Sequence, residues 1–236
     1  MYTIYMSNKI EIKYENDCYS VIAREDIGSG ELLMIEEVFD GNVLNLLEEV
    51  KNNSKLKKSL FPRDKEFINQ NKMDPEVINI CNYDIDVLLK VKYNKWGGSN
   101  CTLGDKISKF NHSCKNNIQH SPIGLIPDKE KLIESIFSLR RIKKSEELFL
   151  NYIYPNSYDH NIKKYSFLQS CNCSSKEISD EYMKKVLNIQ GRLLLSFIKE
   201  NTTLITEYIQ KYCDKKNNNV ELINFAKIND SIFDNL

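Results

Sequence analysis

Hydrophobic and polar positions change their period several times along the chain. Between residues 9 and 37 they alternate or carry β-branched side chains. This predicts strands over KIEIKY and YSVIAR, then a turn at Gly28 and Gly30 inside DIGSGELLMIEE, then a further strand. From about 42 to 92 the period lengthens to that of helices. Val43, Leu46, Leu47 and Val50 share one face of VLNLLEEVKNN, and Asp74 and Pro75 open PEVINICNYDIDVLLKVKY as a cap followed by a first-turn proline. LFPRD separates the two patterns, and KWGGSNCTLGD reads as a loop. Strands are expected again over Ile123–Ile126, Leu132–Leu139 and Glu147–Leu150. From about 158 the chain reads as mostly helical, and GRLLLSFIKENTTLITEYIQKY carries a continuous apolar stripe. Glu36 and Glu37 stand at a strand end and are expected to face solvent, as is the Lys55–Lys58 helix face. These elements predict an α+β, β-rich domain with a helical insertion at about 42–92 and a helical C-terminal part.

Composition narrows this picture. A chain of 236 residues holds one large domain, or a domain with a helical appendage. Lys+Arg and Asp+Glu balance at 33 each, which gives no electrostatic reason to expect direct nucleic-acid binding. No apolar run approaches the ~20 residues of a membrane span, and the N-terminus shows no signal-peptide apolar region. An intracellular protein, nuclear or cytoplasmic, is expected, with no membrane partner. The seven cysteines are odd in number and irregular in spacing, unlike a disulfide framework. Only Cys171 and Cys173 form a close pair.

The run KISKFNHSCKNNIQH, residues 106–120, is too polar for a strand interior and lacks the repeat of a helix face. Its FNHSCKNN resembles the N-H-S-C-x-P-N signature of SET-domain protein lysine methyltransferases. Three further stretches occur in that family's order. DCYSVIAREDIGSGELLMIEE is similar to its opening turn and strands, KKSEELFLNYIYP to its K-G-E-E-L-x-x-x-Y, and CNCSSK to the start of its C-x-C-x-x-C. Together they span residues 17–173. The layout resembles the SET-and-MYND subfamily, although an insertion whose only cysteine is Cys81 cannot hold a MYND zinc module.

The resemblance implies a SET fold of small antiparallel sheets with a knot-like core. Its bounds would be a SET domain over 1–157, a post-SET region over 158–176 and a helical segment over 177–236. It also implies S-adenosylmethionine as cofactor and a lysine-bearing protein or peptide, histone or not, as substrate. Tyr152 matches the catalytic tyrosine. Asn111, His112, Asn94, Ser108, Phe110, Asp17 and Tyr19 match cofactor contacts, Tyr152 also bordering the cofactor, and Asn117 matches the residue that ties the threaded strand end. Trp96, Leu150, Tyr165 and Phe167 match the lysine channel, though Trp96, Tyr165 and Phe167 read equally as core or helix packing. The chemistry suits such a site. A lysine amine has a reference pKa of about 10.4, and a cationic donor and an apolar channel both lower it. What remains for the protein is to aim the amine.

Cys114, Cys171 and Cys173 match zinc ligands, but Lys176 stands where the fourth cysteine belongs. Cys213, Cys101 or a water would complete the set, or the thiols bind no metal. Cys18 and Ser20 replace two glycines of the opening turn, Asn116 a proline, Ser145 a glycine and Asn151 an acid. A catalytically silent SET-fold protein that grips a peptide or partner is the alternative these departures leave open, as is a zinc-stabilised scaffold without cofactor.

Overall fold

A computed structural model describes residues 1–16, 18–70, 84–97, 100–113, 115–127, 129–152 and 180–224. Its spine is an eleven-residue strand, β4 (Leu32–Asn42). One edge of β4 pairs with β9 (Lys131–Ser138). The other is shared, its first half by β1 (Tyr2–Met6) and its second by β6 (Asn100–Leu103). The sheet extends through β8 (Ile118–Ile126) and β11 (Glu221–Leu222) on one side and β5 (Trp96–Gly97) on the other, every pairing antiparallel. Two small sheets complete the β structure. An antiparallel hairpin joins β2 (Ile10–Glu15) to β3 (Cys18–Ala23), and a parallel pair joins β7 (Asn111–His112) to β10 (Phe149–Leu150).

Two strands fall where the sequence reads as loop. β5 and β6 lie within KWGGSNCTLGD, and β1 precedes the first expected strand. The glycines there argue for a turn, but Leu103 pairs opposite Phe39 and is fully buried with it, so tertiary pairing overrides the local signal. The insertion forms α1 (Val43–Asn52), α2 (Ser54–Ser59), α3 (Lys65–Gln70) and α4 (Ile85–Asn94). Asn42 and Asn53 cap α1 and α2 by accepting the Asn45 and Leu56 amides at 3.0 Å each. Asp84 caps α4, whereas the expected start at Asp74 lies outside the described residues. These helices bury Leu46, Leu47, Val50, Val87 and Leu89 against Phe39 and Leu103 as a separate apolar cluster.

The expected apolar stripe near the C-terminus divides into α5 (Asp180–Glu200) and α6 (Thr202–Lys216). At the break, Asn201 turns its amide back to the Phe197 carbonyl at 2.8 Å and reaches Gly30 O at 3.3 Å. Phe197, Ile198, Ile205, Ile209 and Tyr212 pack onto Leu32, Ile35, Ile133 and Phe137 of the main sheet. Gly30, at φ +79°, allows this approach, since a Cβ there would lie 2.8 Å from the Phe197 ring.

Glu36 and Glu37 are not solvated. β4 is covered on both faces, so alternation sends each glutamate into a different interior. Glu36 is fully buried and accepts the backbone amides of Lys106 and Ile107 at 2.8 Å each. Glu37, on the opposite face, receives Lys131 Nζ at 2.6 Å, the Tyr212 hydroxyl and the chain's N-terminal amine at 3.3 Å. Burial opposes ionisation of Glu37, but the Lys131 and Tyr212 bonds outweigh it and hold its carboxyl down at about 2.

Candidate active site

Residues 111–113 and 149–150 run side by side and are clasped together. Asn111 and His112 pair in parallel with Phe149 and Leu150, and the Ser113 amide donates to Leu150 O at 2.9 Å. Asn117 closes the clasp. It is fully buried; its Nδ2 donates to Glu147 O at 2.8 Å and Glu146 Oε1 at 3.1 Å, while its Oδ1 accepts the Phe149 amide at 2.8 Å. Both ends of the amide are used, as a buried amide requires. These bonds tie the segment after β7 to the strand end that leads into β10. The turn leading in is left-handed at Ser145, φ +69°. Next to it Glu146 is held at about 2, first by the Arg140 guanidinium.

The clasp brings Asn111, His112, Phe110 and Tyr152 together. The Tyr152 hydroxyl donates to the Phe110 carbonyl, and its backbone amide donates to His112 Nδ1 at 3.0 Å. The rings of His112 and Tyr152 lie 5.4 Å apart. Burial pushes the His112 imidazole down to about 4, against an opposing backbone bond to Leu150. It is therefore neutral at pH 7, and Nδ1 stays an acceptor. Asn111, at the surface, donates through Nδ2 to Tyr19 O at 2.7 Å and to Glu147 Oε1 at 2.8 Å. With both protons spent, Oδ1 is what this side chain has left to offer. Tyr19 Oη donates to Ser59 O at 2.7 Å, and Ser108 Oγ donates to Asp105 O at 3.1 Å.

Leu150 is buried in the apolar cluster that includes Phe110, Ile107 and Ile118, and the partly buried Trp96 and Tyr152 pack against it. The Trp96 ring stands 5.8 Å from that of His120. Asn94 is placed differently. Its Oδ1 accepts the Phe61 amide at 3.3 Å and its Nδ2 donates to Lys90 O at 2.8 Å and to Phe61 O, so the side chain is engaged in holding the insertion's Phe61 turn. Asp17, Tyr165, Phe167, Cys114, Cys171 and Cys173 lie outside the described residues. Of the two thiols named as a fourth metal ligand, Cys101 Sγ donates to Gly41 O at 3.3 Å in the insertion cluster. Cys213 packs against the cluster beneath α5 and α6, where burial pushes its thiol up. Among the described residues no three His, Cys, Asp or Glu side chains gather as a metal site. No helix among them is long and apolar enough to cross a membrane.

Four groups around this site escape the sequence reading. Lys109 is buried with its ammonium over the Tyr19 ring at 4.4 Å and donating to Ser59 O and Ser108 Oγ, and burial lowers its pKa to about 8. Glu36 lies beneath the turn at Ile107–Lys109, and burial raises its pKa to about 7. Glu147 braces Asn111. Glu134 is buried on β9 with Oε2 3.3 Å from His120 Nδ1. One signal was available: Glu134 is the one charged residue within LIESIF, beside Ser135 in an apolar setting.

An α+β domain of small sheets with an anchored tyrosine beside an Asn-His turn is the class these features define. The SET-domain family profile matches residues 18–153, more than half of the chain, and the chain belongs to that family. No curated protein matches it. Among solved structures it is similar to a candidate histone methyltransferase of Plasmodium falciparum, at 16% identity and a TM-score of 0.36, covering 63% of this chain and 96% of that one. It is also similar to the SET domain of LSMT bound to lysine and AdoHcy, at 11% identity and a TM-score of 0.37, over 64% of this chain and 51% of the other. Likeness this distant transfers no residue roles.

Proposed function

We propose that the chain is a protein-lysine N-methyltransferase that uses S-adenosylmethionine and acts on a histone or other lysine-bearing protein. The observation that carries this is the anchoring of Tyr152. Its O–H is committed to the Phe110 carbonyl, which leaves the phenol oxygen purely an acceptor. An acceptor at the end of an apolar wall suits an amine N–H and a methyl C–H, the two donor groups of a methyl transfer. The donor set fits the cofactor as well. Asn111 turns an acceptor oxygen outward, which matches the ammonium of the cofactor's amino-acid end, and Ser108 and Phe110 lie on the same turn. Bound, the cofactor would supply an electrophilic methyl on sulfur. The chain itself excludes water with Leu150 and Trp96, holds His112 neutral and orients the amine through Tyr152.

The SET domain is read as ending near 157, with a post-SET region over 158–176 and a helical segment over 177–236. Cys114, Cys171 and Cys173 are proposed to share a zinc. Metal analysis should find one zinc per chain, lost in Cys173→Ser; none in either protein removes the metal.

Radiolabelled methyl transfer onto core histones or a protein extract tests the activity. Tyr152→Phe should lower transfer by a factor of about 100 or more with cofactor affinity nearly unchanged, because the hydroxyl acts mainly in the transition state. Cofactor binding by calorimetry without any transfer would instead support the silent, partner-binding reading.

A further inference from the structure

Three stretches of the chain meet at Lys109. Its ammonium donates to the Ser59 carbonyl of the insertion and to Ser108 Oγ at 3.3 Å, and it lies over the Tyr19 ring at 4.4 Å. Tyr19 Oη donates to the same Ser59 carbonyl at 2.7 Å, and the Tyr19 carbonyl accepts Asn111 Nδ2 at 2.7 Å. A second cation grips the same hairpin. Arg63, also from the insertion, stands over the Tyr14 ring at 4.4 Å and donates to Tyr19 Oη at 3.3 Å, with the Tyr14 and Tyr19 rings 4.8 Å apart. Lys109 is only 3% exposed. The oxygens it donates to are uncharged, and the acids that face it are engaged elsewhere. Asp105 accepts Ser59 Oγ at 2.5 Å, and Glu36 accepts the Lys106 and Ile107 amides. Burying an ammonium without an ion-pair partner is costly, and a methionine would fill a similar slot with no charge to desolvate. What the charge gains here is grip, because a cation is attracted by a ring face and a carbonyl oxygen at once.

We propose that Lys109 is a positioning residue for cofactor binding, holding the β2–β3 hairpin and the insertion against the turn that carries Ser108 and Asn111. This rests on the methyltransferase reading above, in which Tyr19, Ser108 and Asn111 border the cofactor. The ammonium is enclosed by the groups it holds and acts through them. Without it the hairpin keeps the Tyr19 bond to Ser59 but loses the attraction that presses the ring onto the turn. Tyr19, Ser108 and Asn111 are then gathered by the cofactor itself, at the expense of affinity. The grip depends on charge, so it loosens as pH rises. Burial lowers the Lys109 pKa to about 8, with Asp105 and Glu36 opposing and Lys106 and Arg63 adding to the fall. Asp105 and Lys106 belong to its own turn, Glu36 to β4 and Arg63 to the insertion; the hairpin adds the Tyr14 and Tyr19 phenols.

Hydrogen exchange reads the grip without cofactor. Corrected for the intrinsic rate, protection of the β2–β3 amides in the wild-type protein should fall about 10-fold between roughly pH 7 and 9 while the β8–β9 amides hold theirs. Lys109→Met should show the lower protection at both ends. Calorimetry reads the consequence. Lys109→Met should weaken cofactor binding about 10-fold near pH 7, and Lys109→Arg, which stays charged throughout, should restore it. The cofactor's own α-amine titrates at about 7.7–8.0. The ratio of wild-type to Lys109→Arg affinity cancels that titration, and it should fall as pH rises through the same range. If circular dichroism shows that Lys109→Met fails to fold, the wild-type exchange profile and this ratio carry the test. Hairpin protection that stays level across the range, or wild-type cofactor affinity in Lys109→Met, overturns the proposal and leaves the methyltransferase reading standing. No cofactor binding by the wild-type protein at any pH overturns both.

Discussion

Glu36 shows how one side chain couples the site to pH. Its folded pKa, about 7, lies above the 4.5 of a free glutamate because burial disfavours the anion, with the Ile107 and Lys106 amides opposing. Below pH 4.5 both folded and unfolded chains hold the proton. Between about 4.5 and 7 the folded state binds more protons, so stability falls as pH rises through that window and then levels off. Glu36→Gln keeps an acceptor for those amides and removes the titration. Urea melts from pH 4 to 8 should show a flatter profile than wild type, and an unchanged slope would assign it to another group. Ser145 stores cost of a simpler kind. A left-handed conformation disfavours any side chain by about 1–2 kcal/mol, so Ser145→Gly should stabilise the protein by about 1 kcal/mol in the same melts.

At the scale of elements, Asn117 holds the pairing of β7 with β10 through three hydrogen bonds. Asn117→Ala strands buried groups that cost about 1–3 kcal/mol each. A loss of about 3 kcal/mol is expected, together with loss of the His112–Tyr152 arrangement. Thermal melts and cofactor calorimetry check the two parts separately, and a variant with wild-type stability would show the clasp to be dispensable. Much of this was legible beforehand. The NHSCKNN run and the Tyr152 stretch marked both clasped segments, and the strand pattern located β2–β4, β9 and the second half of β8, whose first residues fall in the run read as too polar for a strand. What alternation cannot tell is what covers a face, so Glu36 and Glu37 read as solvated although the turn at Ile107 and the α6 helix lie over them. Nor could a glycine-rich stretch announce β6, which exists because Phe39 and Leu103 need each other.

Across the whole molecule, the candidate site and the C-terminal helices occupy opposite faces of the main sheet. Tyr152 and Trp96 pack on the cluster of Met34 and Val38, whereas Phe197 and Ile205 pack on that of Ile35 and Phe137. Gly30→Val would drive a branched side chain into the Phe197 ring from a backbone conformation it rarely adopts. Hydrogen exchange should then quicken through α5 and α6 while amides around Asn117 keep their protection. Equal quickening on both faces would mean that the two layers unfold as one.

The consecutive glutamates of β4 act as a parity check on assembly. If β4 paired one residue out of step toward one end, Glu37 would take the place of Glu36, and Val38 would stand before Lys131 and Tyr212. In the other direction Glu36 would meet Tyr212, and Ile35 would lie under the Lys106 and Ile107 amides with no oxygen to offer. Either misreading of the strand delivers hydrocarbon to a place that demands an acid, and only one frame satisfies both.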